Sequence, residues 1–308
     1  MKRISKTEPG HAHLTISPDR EPITTVEPGE RFKVETYDYV GDILHDDTSL
    51  EDVWGTDELA DNINPVTGPI EIEGTEPGDA LAVDIVDIEL PDQGVINIFP
   101  NFGGLEASVF NLAEPSEPST TFCDIEDGVV TYPTENGETV EFPAHPQIGT
   151  IGTAEKHESV YSVKPHDHGG NMDCKDVTVG NTLYLPVDVE GGYLHLGDCH
   201  AAQGDGEICG ISIEVPAIVT LEIDVVSGYD IDWPRIESDE EIITVAAARP
   251  AEDAAKLAYK ELIGWLVDDY GFSETDAYQL CSAVGRVRMA QLVNPQFTVA
   301  AKFPKDLL

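Results

Sequence analysis

The sequence predicts a mainly β protein with an α+β C-terminal part: a β-sandwich or barrel core over residues 1–235 and a two-helix α+β region over 236–308. Three observations carry this. Apolar residues alternate with polar ones in short runs along the first 235 positions. Gly and Pro turns separate those runs at regular intervals, which favours a sandwich or barrel over a helical fold. Helical spacing enters only after Pro250.

Taken in order, residues 1–60 begin with two alternating runs joined by Glu27-Pro28-Gly29-Glu30, and Phe32, Val34 and Thr36 mark the second. Gly41 to Asp61 is acidic and reads as a loop or short helix. Asn64-Pro65 and Gly68-Pro69 are turns. Ile70 and Ile72 then alternate with Glu71 and Glu73. Glu76-Pro77-Gly78-Asp79 repeats the earlier turn, and Leu81, Val83 and Ile85 open another strand. The repeated phrase suggests two similar hairpin corners. Residues 91–145 are rich in turns, with Glu135-Asn136-Gly137-Glu138 a strong hairpin signal, and read as an inserted, small β-barrel-like lobe. TLYLPVDV is a strand, GGYLHLGDCHAA a strand entering a loop, and ICGISIEVPAIVTLEIDVV one long β run.

A strand follows at about 240. A helix then opens at Pro250, carries Leu257, Leu262, Ile263 and Leu266 on one face, and ends at Gly271. Ser273-Glu274-Thr275-Asp276 caps a second helix. Ala277, Leu280, Cys281, Val284 and Val287 continue it, and Asn294-Pro295 stops it. QFTVAAKF is a last strand.

Apolar content of 41% in 308 residues is enough for a large core. Against 17 Lys plus Arg stand 59 Asp plus Glu, a net charge of −42. The acids are spread along the chain, and such self-repulsion is tolerable where concentrated salt screens it, so a halophilic cytosol is the expectation. No basic patch exists to neutralise phosphates, which excludes nucleic acid as a partner. No apolar run is long enough for a membrane span, and the first residues do not form a signal peptide, so a cytoplasmic protein is expected. Five cysteines without CxxC spacing exclude a zinc ribbon and a disulfide framework.

The chemistry concentrates between His166 and Glu214. Catalytic divalent metals take His nitrogens and carboxylate oxygens. His168 precedes Gly169-Gly170, a turn able to aim it inward, and Asp173 follows that pair. Asp198 and His200 are two apart, which on an extended segment points both to one face. Glu214 lies in an apolar strand, where a carboxylate is expensive unless paired or metal-bound. His168, Asp173, Asp198, His200 and Glu214 are therefore the candidate ligands, for one metal or shared between two. His166, Asp167, His195 and Asp205 are less marked. Cys174, Cys199 and Cys209 lie nearby and could supply a nucleophile with a His base; small buried residues is the plainer reading.

The segments HGGNMD, NTLYLPV, GDCHAAQGDGE and GISIEV, with NPVTGP, EPGD and IGTIGTA upstream in the same order, resemble the acetamidase/formamidase family over nearly the whole chain. The resemblance implies a jelly-roll-like core with an α+β part and a homo-oligomer. It also implies hydrolysis of short amides to carboxylic acid and ammonia, and a divalent metal, zinc or calcium, held by the five residues above. The expected reaction uses a metal-activated water, Glu207 or Glu214 as general base, and Asn64 or Asn171 as oxyanion donor. The alternatives are a metal-holding jelly-roll protein or small-molecule binding module without hydrolase activity, and a cysteine-dependent amidase.

Overall fold

The alternating runs become strands, and strand exceeds helix 42% to 13%, which meets the mainly β expectation. The structure, a computed structural model, describes residues 1–105 and 117–308. One sheet has nine strands in the order Lys2–Ile4, Arg31–Thr36, Ala217–Val226, Ala80–Glu89, Thr182–Pro186, Arg235–Glu237, Glu241–Ala248, Phe297–Pro304 and Arg286–Gln291. A second has eleven, with Leu194–Ala202 at its centre, and Thr15–Ile16 and Val160–Tyr161 pair as a small third. The main apolar cluster draws on both large sheets, with Ile70, Leu196 and Val215 from the second sheet and Leu81, Val83 and Leu221 from the first. Burial of each such side chain contributes roughly 1.5–3 kcal/mol.

Leu194–Ala202 pairs along one edge with Gln147–Gly152. Along its other edge the partner changes. Leu194, Leu196 and Gly197 face Val66–Ile72, whereas Cys199, His200 and Ala202 face Ile213–Val215. Asp198 stands at the split. A sheet that forks there leaves a gap between the two partner strands, and the candidate site occupies it.

Both Glu-Pro-Gly turns form as the sequence dictates. Each closes a four-residue turn by a backbone hydrogen bond, Glu30 N to Glu27 O at 3.0 Å and Asp79 N to Glu76 O at 3.1 Å, with Gly29 and Gly78 in the left-handed region that only glycine adopts freely. They are not hairpin corners, however. Thr24–Val26 and Val66–Ile72 lie side by side, parallel, in the second sheet, and each turn carries the chain across into the first. The long β run is likewise two strands in two sheets: Pro216 lacks the N–H a continuous ladder needs, and Ile213–Val215 and Ala217–Val226 part there.

The 91–145 segment is not a barrel. Gln93–Ile98, Ser119–Glu126, Val129–Pro133 and Thr139–Pro143 pair each with the next and extend the edge of the second sheet beyond Ile213–Val215; among the described residues the edges never close. The Glu135–Glu138 hairpin is present, with Gly137 left-handed.

Two helices, Ala251–Asp268 and Glu274–Val284, cover the last strands of the first sheet, burying Ala258, Leu262, Trp265 and Cys281 against Ile242, Ala301 and Phe303. Ser273 Oγ caps the second helix by accepting from Asp276 N at 3.1 Å. That helix ends at Val284 rather than near Asn294. Arg286–Gln291 alternates as RVRMAQ and pairs with Phe297–Pro304, so ladder bonds override the helical spacing of Val287.

Candidate active site

Asp198 and His200 project from the forked strand and Glu214 from the neighbour opposite His200. Asp173 follows the Gly169–Asn171 strand, and Glu207 sits in the loop after Ala202. All five are buried. His200 Nε2 lies 3.3 Å from Glu214 Oε2 and 3.6 Å from Asp198 Oδ1. Asp173, His200 and Glu207 also offer ligand atoms within 4.8 Å of one another, as do Asp198, His200 and Glu214.

Backbone and glycine geometry make the room. Asp173, Asp198, Glu207 and Asn64 all adopt the left-handed conformation, uncommon for non-glycine residues and concentrated where function holds it. Asp198 and His200 thus meet, but through a twisted backbone and not the regular two-residue step of an extended strand. A Cβ on Gly149 would stand 2.6 Å from the Asp198 carbonyl oxygen and 2.7 Å from Asp173 Oδ1. Only glycine fits beneath these two carboxylates.

Hydrogen bonds orient the imidazole. Gln203 Nε2 donates to the carbonyls of Asp173 (2.7 Å) and Ala290 (3.2 Å), which leaves its Oε1 to accept from His200 Nδ1 at 2.9 Å. Gln147 Nε2 also donates to that oxygen. With Nδ1 donating to Gln203, Nε2 is the nitrogen that faces the acids, as a donor when the ring is protonated and as a lone pair when it is neutral. Glu214 Oε1 accepts from Ser212 N at 2.8 Å, Glu207 Oε1 from Ser212 Oγ at 2.8 Å, and Asp173 Oδ2 from Asn294 Nδ2 at 2.5 Å.

Four carboxylates around one imidazole cannot all stay ionised in a buried site. Burial pushes Glu207 up to about 8, with Glu214 and Asp198 adding to the rise against the pull of His200. Burial, then Glu207 and Asp198, raise Asp173 well above the carboxylate range, and burial with Asp198 raises Glu214. Burial alone would lower His200, but Glu214 and Asp198 override it and hold it well above the imidazole range. The excess negative charge is met either by protons or by a cation. Asp173 Oδ1, His200 Nε2 and Glu214 Oε2 are buried without a hydrogen-bond partner, and unpaired buried polar atoms are costly. One nitrogen and several oxygens converging in this way fit a divalent metal.

Asp173, Asp198, Glu207 and Glu214 line a cavity of about 250 Å³, with His200 packed behind them, and its remaining wall is largely apolar: Tyr39, Ile63, Phe99, Phe102, Val163 and Ile211. Asn64 and Asn171 also line it. Thr150 joins them: its hydroxyl lies 3.1 Å from Asn64 Nδ2 and 3.2 Å from Asp198 Oδ2, and also bonds Asn171 Oδ1.

Residues 2–162 and 153–308 match the Acetamidase/Formamidase family. The chain belongs to that family. It is 30% identical over 262 residues to the formamidase of Methylophilus methylotrophus, an alignment covering 70% of this chain and 64% of that protein. The chain thus spans somewhat under two thirds of the length of this curated relative. Solved structures align more fully. An acetamidase from Yersinia enterocolitica has 36% identity and a TM-score of 0.89 over 99% of this chain and 92% of its own. An acetamidase from Bacillus halodurans has 32% identity and a TM-score of 0.88, covering 99% and 98%.

One expected ligand is elsewhere. His168 groups with Glu155, His166 and Asp167 and does not line the cavity. The Gly169-Gly170 turn aims it, but toward Glu155, whose Oε1 is 3.0 Å from His168 Nδ1. His195 is buried and stays neutral, its pKa taken down to about 3 by burial, with Nδ1 donating to Tyr193 O. The cysteines make poor nucleophiles: burial pushes Cys174 and Cys199 up to about 12, and Cys209, raised too, bonds the Ile211 carbonyl.

Sequence reasoning missed the supporting residues. Gln203 stands inside the HAAQGDGE segment and Thr150 inside IGTIGTA, so proximity to the family motifs was available as a signal. Asn294 looked only like a turn before proline. Its Nδ2 reaches Asp173 and, at 3.2 Å, the Asn171 carbonyl. The same C-terminal segment pins the Glu207 loop: Gly206 N donates to Met289 O and Ala290 O, and Leu292 N to Gly206 O, each at 3.0 Å.

Proposed function

We propose that the chain hydrolyses short aliphatic amides to carboxylic acid and ammonia in the cavity between Asn171 and Glu207, with a divalent cation held by Asp173, Asp198, His200 and Glu214. The observation that carries this is the convergence of three buried, unpartnered ligand atoms at the base of a small, apolar-walled cavity in a chain of this family. The His200 nitrogen favours zinc over calcium, which prefers oxygen alone. When bound, such a cation lowers the pKa of a water and polarises the amide carbonyl.

The protein's own groups supply the rest. Glu207 is the general base, and then the acid that protonates the departing nitrogen, since ammonia leaves poorly without a proton. Burial and the neighbouring carboxylates hold Glu207 above the ordinary carboxylate range, the direction that suits a group exchanging protons near neutrality. Glu214 is committed to Ser212 N and to His200, which leaves it the ligand role. Asn171 is the oxyanion donor: it lines the cavity, and its Oδ1 is engaged by Thr150, which leaves Nδ2 to donate. The apolar wall receives the acyl substituent. Ammonia release from formamide and acetamide tests the reading. Glu207→Gln should lower kcat by about 10²–10⁴ with little change in zinc content. Full activity in that variant, or after thorough chelation, would reject it.

A further inference from the structure

We propose that Glu155, His166 and His168, with Asp167, form a second divalent-cation site, separate from the cavity and independent of the amide-hydrolysis reading. The four residues each offer one ligand atom, all within 4.8 Å of one another. His168 is 3% exposed, and neither ring nitrogen has a hydrogen-bond partner. Its Nδ1 lies 3.0 Å from Glu155 Oε1, itself buried and unpartnered, yet the two are not aligned as a hydrogen bond. Two close, buried, unsatisfied atoms of this kind are what a shared ion relieves. His166 Nδ1, hydrogen-bonded to Asp167 Oδ1 at 2.6 Å and 3.9 Å from Glu155 Oε1, brings a further nitrogen and a carboxylate from the more open side. A tetrahedral ion with bonds of about 2.0 Å separates its ligands by about 3.3 Å, and these spacings bracket that value. Two imidazoles with carboxylate fit zinc or a similar late divalent metal.

The sequence shapes a slot for the His168 ring. A Cβ on Gly170 would stand 2.9 Å from His168 Nε2, and one on Gly152 3.1 Å from its Cδ2. Gly152 pairs with Gly169, and Thr150 with Asn171, in the same two-strand ladder. An ion here clamps the far end of the ladder that carries Asn171 to the cavity wall and Thr150 behind it.

The test counts zinc on the stripped full chain, dialysed against zinc chloride in about 1 M potassium chloride to suppress loose binding to surface acids. Asp198→Asn removes the cavity ion and should leave one tight zinc. Adding His166→Gln, at a half-exposed position that the fold tolerates, should weaken that zinc at least 10-fold, and adding Glu155→Gln should abolish it. Equal zinc binding by Asp198→Asn with and without His166→Gln overturns the proposal, as does an Asp198→Asn protein that binds none. Failure of the cavity ion reads differently: Asp198→Asn would then bind as much zinc as the parent.

Discussion

Behind the cavity, Gln203 has no direct chemistry and a large predicted effect. Its two donated bonds fix its own orientation, and that orientation decides which His200 nitrogen carries a proton. Gln203→Leu removes the acceptor, so the ring is free to present N–H to the acids. Outer partners of metal-ligating histidines are worth about 10–100-fold in affinity. Zinc affinity of the variant, measured by competition with a chromophoric chelator, should fall by that factor while the fold survives; unchanged affinity would reject the tautomer argument. At the same scale, Glu214 was legible because a lone carboxylate between Ile213 and Val215 needs a partner. Glu155 was not, because nothing in the sequence distinguishes it from the other acids of a heavily acidic chain.

At the scale of elements, the turns were more legible than the connections they make. Pro28-Gly29 and Pro77-Gly78 announce their local geometry, but which sheet each strand joins is a matter of pairing between distant residues. Pairing also set the end of the second helix, where the ladder of Arg286–Gln291 with Phe297–Pro304 outweighed helical spacing. The fork in the Leu194–Ala202 strand was invisible for the same reason, although it creates the gap in which the carboxylates meet. Gly149 lies under that gap on the adjacent strand. Its backbone is in a region any residue adopts, so Gly149→Ala strains no dihedral and acts through its Cβ, which must displace Asp198 or Asp173. The variant should keep its circular dichroism spectrum, lose about 1–3 kcal/mol of stability, and lose zinc affinity and amidase activity at least 10-fold. Normal affinity would show that the carboxylates relax without penalty.

Over the whole molecule, charge dominates. The 17 cationic side chains can offset only part of 59 acids, leaving −42. Raising potassium chloride from about 0.1 M to about 1 M shortens the screening length from ~10 to ~3 Å. The unfolding midpoint should rise by several degrees over that range, and a flat or falling midpoint would count against adaptation to salt. Proton uptake adds a pH dependence. Asp38, in the segment leading to Tyr39, is 3% exposed, and burial, then Asp42, takes its carboxyl from 3.8 up to about 7. Between those values the folded chain holds a proton that the unfolded chain has lost, so stability falls as pH rises through the window. Asp38→Asn deletes this contribution. Its unfolding midpoint relative to the parent should climb from pH 4 to pH 7, whereas parallel profiles would refute the assignment.

The reach of Asn294 to Asp173, with the hold of Met289 and Ala290 on Gly206, also fixes an order of events during synthesis. Residues 39 to 214 emerge first, but Asp173 and the Glu207 loop lack these C-terminal partners until residue 294 has left the ribosome. Contacts so distant along the chain form late, after the loops between them have closed. A nascent chain therefore carries its cluster of acids unfinished for most of its translation, and ligand binding becomes a property only of the molecule whose last strands have docked.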